Sequence, residues 1–408
     1  MPQGQEEFST SIDGFIEKIR IWYADKKEFR DQYDAAVNGA KPCPLPPHDN
    51  GYCDWQNKPI DFLCQFFWDW YQWQEQRSGV DNGLTFIERF SWINYDNRAG
   101  MDFVANPGPG RDLIADFTNL QGLQMDAPES KEAIKRWVRQ LGPKRMDDYK
   151  IEDWENFNEF FIREIKEGRR PVDAKDDPTV VVAPADCVIN MIVDDLKADT
   201  PIPVKTATAT MNLRTLLDGS EYAERFVGGT AVSCILMPDS YHWYHAPVAG
   251  RVVAARDDIG GPYYGIRNFP QLLDKGDVGY GYDYKDFQDF RRGYVIIKTV
   301  YVDADGGPDG EGYVAQIPVG LNSIASVNFL PKFKGPFLEP VPVEKGERIG
   351  NFQYGGSLNI LLFEKGRFPA VQLLQGQRIG VLEDPAKSAT RFPRAPHTQL
   401  RTPPPNGR

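Results

Sequence analysis

The chain reads as an α+β protein: a helical N-terminal region followed by a compact antiparallel β domain of sandwich or barrel-like form. Three observations predict this class. Apolar residues recur at helical spacing through about the first 150 residues. From about Val180 the texture changes to short apolar runs punctuated by Gly, Pro and Asp. Helical periods are then nearly absent, apart from Asn212–Leu217, which is the pattern of a packed β structure.

Taken in order, Ile12 to Tyr33 places Ile12, Phe15, Ile16, Ile19, Ile21 and Trp22 roughly at helical spacing. The stretch Pro42-Cys43-Pro44-Leu45-Pro46-Pro47 interrupts it as a loop. Ile60 to Gln76 is dense in aromatics, among them Phe66, Phe67, Trp70 and Trp73; it contains no lysine, which favours core packing over a membrane-surface anchor. Asp126-Ala127-Pro128-Glu129 has the form of a helix start leading into Glu132–Leu141. A further helix is predicted over Trp154–Lys166, stopped by Gly168 and Pro171.

Strands are predicted at Val180–Ala183, Ser233–Met237, Gly250–Ala255, Tyr294–Val302, Tyr313–Val319, Ile324–Leu330, Leu358–Phe363 and Gln377–Leu382. Between them lies an aromatic, Gly-rich insertion from about Gly260 to Arg292, long enough to expect a functional or mobile loop. The Pro- and Arg-rich end, 388–408, is expected to be disordered. The organisation is thus a helical domain over 1–150, a second domain over 151–387 and a tail.

Bulk properties narrow the function. A net charge of −11 argues against nucleic acid, which requires clustered Lys and Arg, and disfavours adsorption to anionic membranes. No apolar run is long enough to span a bilayer. The start lacks a signal sequence, and five cysteines without CxxC spacing favour a reducing compartment, so a cytoplasmic enzyme is expected.

The chemistry concentrates in two short pieces. Tyr241-His242-Trp243-Tyr244-His245-Ala246-Pro247-Val248-Ala249-Gly250 carries two of the four histidines, the side chain suited to moving protons near neutral pH. Gly355-Gly356-Ser357 places a hydroxyl after two residues that allow a sharp bend. Alone, the serine reads as an incidental residue of a glycine turn. Two histidines flanked by aromatics add weight to a site. Pro184-Ala185-Asp186 supplies an acid in a small-residue turn; it is a backbone cap on one reading and the orienting member of a triad on another.

These pieces occur together in one known order. Phe157 to Pro171, Pro184-Ala185-Asp186, Tyr241-His242 with His245-Ala246-Pro247 and Gly250, and Gly350 and Phe352 through Gly356-Ser357 to Leu362-Phe363 resemble the phosphatidylserine decarboxylase family. The resemblance covers roughly Glu152 to Leu382. The helical N-terminal third resembles the extension of soluble fungal members that decarboxylate tryptophan, with Asn97-Arg98-Ala99-Gly100 as its local match.

The resemblance implies a self-processing carboxy-lyase. The hydroxyl of Ser357 would attack the carbonyl of Gly356, and cleavage between the two would leave a covalent pyruvoyl group on the fragment beginning at 357. That ketone would form a Schiff base with the substrate amine and draw electrons as carbon dioxide leaves. By carry-over, His245 is the base for Ser357, Asp186 orients it, and His242 reprotonates the product. Tyr263 and Tyr264, after a Gly-Pro turn, would line the substrate pocket. Two positions depart from the family pattern: Leu358 follows the cleaved serine where relatives carry Thr or Ser, and Cys187 follows Asp186 where many carry Gly. The expected substrate is a free amino acid, with aromatic ones among the candidates, or alternatively phosphatidylserine with peripheral membrane contact; the oligomeric state is open. Other readings are a metal-dependent hydrolase with Asp186, His242 and His245 as ligands, and a carrier domain suggested by Pro247-x-x-Gly250. No further histidine is well placed for a metal, so none is expected, and no Met-Lys or Asp-Lys pair suits a carrier.

Overall fold

The computed structural model describes residues 8–42, 54–77, 85–198, 212–236, 240–261, 263, 290–303, 305, 307–321, 327–353, 355–368, 370–373 and 375–376. The expected Gln377–Leu382 strand, the C-terminal tail, Tyr264 and most of the aromatic insertion lie outside these residues.

The first stripe forms two helices, α1 (Ile12–Asp25) and α2 (Lys27–Gly39), because Lys26 adopts an extended backbone between them. The break lets Phe15, Ile19, Phe29 and Tyr33 all enter one core. The aromatic run forms α3 (Ile60–Arg77), with Leu63, Phe66, Phe67 and Trp70 buried. It is core, as its lack of lysine predicts. Then come α4 (Thr85–Ser91), α5 (Arg98–Ala105), α6 (Pro109–Asp126) and α7 (Lys131–Met146), the last kinked at Gly142 and Pro143.

The helix expected over 154–166 shrinks to α8 (Phe157–Phe161), started by the Asn156 side chain accepting from the Glu159 N–H. Beyond Ile162 the chain extends instead. Ile165 bridges to Tyr149, and the Lys150 and Lys166 N–H groups donate to the Glu164 and Asp148 carbonyls. Long-range pairing has overridden local helical periodicity here.

After α8 come β1 (Val188–Val193), the short α9 (Leu213–Leu216), β2 (Thr230–Leu236), β3 (Trp243–His245), β4 (Gly250–Ile259), β5 (Arg292–Val302), β6 (Pro308–Leu321), β7 (Val327–Phe329), β8 (Val341–Val343), β9 (Arg348–Phe352) and β10 (Gly356–Phe363). Val180–Ala183 is not a strand; β1, β3, β8 and β9 were not foreseen. A seven-stranded antiparallel sheet runs β1-β2-β10-β6-β5-β4-β8, and a second sheet runs β3-β9-β7. The sheets do not close on themselves, so the barrel-like alternative is corrected to an open sheet faced by a smaller one. The short edge strand β8 and β1 end the ladder without pairing to each other.

Alternation along β10 explains the layers. Leu358, Ile360 and Leu362 join the core that holds the helices, whereas Leu361 and Phe363 join a second core with Tyr244, Phe329, Ile349 and Phe352 of the smaller sheet. Helices therefore cover one face of the large sheet and β3-β9-β7 the other. Ser357 and Asn359 share the parity of Leu361 and so belong to the face toward the smaller sheet.

Candidate active site

Ser357 is the second residue of β10, opposite Leu236 of β2 and Gly320 of β6. Gly355, two residues before it, has φ 144°, a conformation open to glycine and resisted by side chains. The Ser357 Oγ is buried and has no hydrogen-bond partner. A buried hydroxyl left unpaired costs stability, so such atoms mark strain or chemistry. On the same face the buried Gln316 amide donates to Asn359 Oδ1 at 3.2 Å. That polar pair inside an apolar layer was not singled out from sequence; its signal was the Asn in an otherwise apolar strand.

His242 and His245 occupy different environments. The His245 Nδ1 lies 2.7 Å from the Gly346 carbonyl, which can only accept, so the ring proton sits on Nδ1. Nε2 is then a free lone pair that accepts from the Tyr241 hydroxyl at 3.1 Å. Burial lowers the His245 pKa, and the Arg348 guanidinium lowers it further, against the Gly346 hydrogen bond and Asp186, which raise it. Tyr241, part of the quoted motif but given no role from sequence, is pushed up to about 12 by burial and therefore keeps its proton.

His242 is fully enclosed. Its Nδ1 lies 3.0 Å from the Ser240 carbonyl, its ring packs on Phe161 with centroids 4.0 Å apart, and its Nε2 has no partner. Burial first, and the Arg163 cation second, push its pKa down to about 3. The His242 carbonyl accepts from Phe352 N–H at 3.0 Å, tying this segment to the strand that leads into β10.

Asp186 and His245 line one cavity of about 470 Å³ together with Arg169, Arg170, Tyr241 and Gly346. Asp186 does not hold His245: Arg170 grips both carboxylate oxygens, Nε to Oδ1 at 2.9 Å and Nη2 to Oδ2 at 2.8 Å. Arg170 also reaches the buried Asp148 at 3.1 Å. Ser357 is not among the residues lining this cavity. The structure thus brings Asp186 and His245 together and leaves each with another partner. Tyr263 packs in the core between helices and sheet, the face opposite Ser357, with Arg291 5.2 Å over its ring. Among the described residues no group of three metal-ligating side chains converges, so Asp186, His242 and His245 do not form the ligand set of the hydrolase reading.

Comparison with known proteins supplies the class. The family model for phosphatidylserine decarboxylase matches residues 157–385. A phosphatidylserine decarboxylase proenzyme of Fusobacterium nucleatum is 32% identical over 253 residues, 62% of this chain and 74% of that protein. One of Anoxybacillus flavithermus is 31% identical over 248 residues, 59% and 80% of the two chains. Proenzyme 3 of Schizosaccharomyces pombe is 28% identical over 257 residues, 62% of this chain and 23% of its own. The chain belongs to the phosphatidylserine decarboxylase family. It is accordingly a carboxy-lyase, of a family whose cofactor is a pyruvoyl group held covalently and formed by self-cleavage.

Proposed function

We propose that the chain splits itself between Gly356 and Ser357 and then removes the α-carboxylate of a free amino acid. The observation that carries this reading is the buried, unpartnered Ser357 Oγ, two residues after Gly355, which is held at positive φ. That arrangement fits the origin of a pyruvoyl group, since the hydroxyl has no competing hydrogen bond and two glycines precede it.

In the splitting step the Ser357 Oγ bonds to the Gly356 carbonyl carbon and its proton passes to Nε2 of His245. The Gly356–Ser357 amide bond breaks as its nitrogen takes up a proton, leaving an ester. Loss of the Ser357 Hα then expels Gly356 as a carboxylate, and water replaces the freed nitrogen, released as ammonia, to leave the ketone. His245 is suited to this role because its tautomer leaves Nε2 unprotonated, and it must exchange Tyr241 for the serine to perform it. Asp186 supplies negative charge to the same cavity and favours the imidazolium that forms.

The mature group supplies a ketone that takes up the substrate amine and draws electrons from the breaking carbon–carboxylate bond. His242 handles the proton. A proton carried transiently on Nε2, where burial disfavours it, passes readily to the carbon that has lost carbon dioxide. The stacked Phe161 and the complete burial of the ring keep water from competing for it.

A free amino acid, with aromatic ones first among candidates, is supported by the acidic charge and by a helical layer outside the family match. No described helix is long and apolar enough to cross a membrane. The printed names of the relatives support a second reading, phosphatidylserine itself. Released carbon dioxide, measured with single amino acids and with phosphatidylserine vesicles, separates the two. Release from vesicles alone overturns the free-amino-acid reading.

A further inference from the structure

Arg163 follows α8 and is buried, yet it carries a charge that nothing in the splitting or decarboxylation steps above employs. Its guanidinium lies over the Tyr149 ring at 4.1 Å and the Phe160 ring at 4.8 Å. One arm donates to the Phe160 carbonyl at 3.3 Å and the other to the Ser240 carbonyl at 3.4 Å. That same Ser240 carbonyl receives the His242 Nδ1 at 3.0 Å.

We propose that Arg163 is a positioning residue for His242, sharing the Ser240 carbonyl with it so that the imidazole stays neutral, with its proton on Nδ1 and its lone pair on Nε2. A carbonyl oxygen offers two lone pairs, so one oxygen serves both donors without either leaving. Arg163 anchors that oxygen from the side of α8, and Phe161 of the same helix packs on the ring. The helix end and the histidine therefore move as one unit. Among the described residues Arg163 is the charged group that acts on His242, while Asp186 and Arg348 act on His245. A fixed cation opposes a second proton on the ring, so the proton taken up at Nε2 is held only transiently. This assignment rests on the proposed role of His242 in proton transfer.

The chain has four histidines, which makes histidine-selective nitrogen NMR practicable; a His242→Gln variant assigns the signal by its disappearance. In the unaltered protein His242 is expected as the neutral Nδ1–H form, without titrating down to about pH 5. Arg163→Gln keeps a donor for the carbonyls and drops the charge. Its His242 midpoint should rise by about one unit or more, and decarboxylation should gain an acid limb. Arg163→Lys, which retains the charge, should titrate like the unaltered protein. A proton on Nε2, a His242 already charged at neutral pH, or an unchanged midpoint in Arg163→Gln overturns the proposal. The first two are read on the unaltered protein and stand even if the variants misfold. Two fragments on a denaturing gel report self-cleavage separately, so failure of that reading is told apart from failure of this one.

Discussion

The Tyr241 hydroxyl donates to Nε2 of His245 at 3.1 Å and so occupies the one lone pair with which that histidine can take a proton. On the proposed mechanism, in which His245 is the base, self-cleavage must break this contact. A net hydrogen bond contributes about 0.5–1.5 kcal/mol, so Tyr241→Phe should speed cleavage by about two- to tenfold. Timed gels on freshly translated protein measure it; slower cleavage would mean that the hydroxyl relays the proton instead.

Ser357→Ala removes the attacking oxygen while preserving β10, where the side chain makes no hydrogen bond. It should give one full-length band, an intact mass and no hydroxylamine-reactive carbonyl. An active Ser357→Ala protein would end the proposal.

The two histidines separate by step. His245→Ala should slow splitting by roughly 10²- to 10⁴-fold, the usual worth of a positioned base. His242→Ala should split normally and lose turnover. If His242→Ala blocks splitting while His245→Ala does not, the assignments are exchanged.

Stability should fall in acid because both histidines are disfavoured as cations in the fold. For His242 the folded pKa is depressed from 6.5 to about 3, so below pH 6.5 the unfolded chain binds a proton that the folded chain refuses. The associated stability is complete above that pH and declines as pH falls toward about 3, by about 1.4 kcal/mol per pH unit. Urea midpoints from pH 7.5 to 5 should show the slope, and His242→Gln should flatten it.

Much of this protein was legible in its sequence. Short apolar runs bounded by Gly, Pro and Asp located β2, β4, β5, β6 and β10 to within about five residues, since burial of a strand writes itself into the chain. The glycine-flanked serine, the paired histidines and the turn aspartate stood out in the sequence as candidate chemistry-bearing pieces. Short strands such as β3 and β9 escaped because three to five residues carry too little pattern. The helix over 154–166 was overdrawn because its last residues gain more by pairing with Tyr149 and Asp148.

By itself the sequence determined the class: a helical layer, an antiparallel sheet and the residues that mark a self-processing decarboxylase. Only the tertiary structure decided which partner each of those residues holds. Arg170 takes Asp186 from sixteen positions away, Gly346 sets the His245 tautomer from 101 positions away, and Arg163 meets His242 through Ser240 across 77. Hydrogen bonds and charge act over a few ångströms of space. Their outcome follows from how the chain closes on itself, which local composition does not encode.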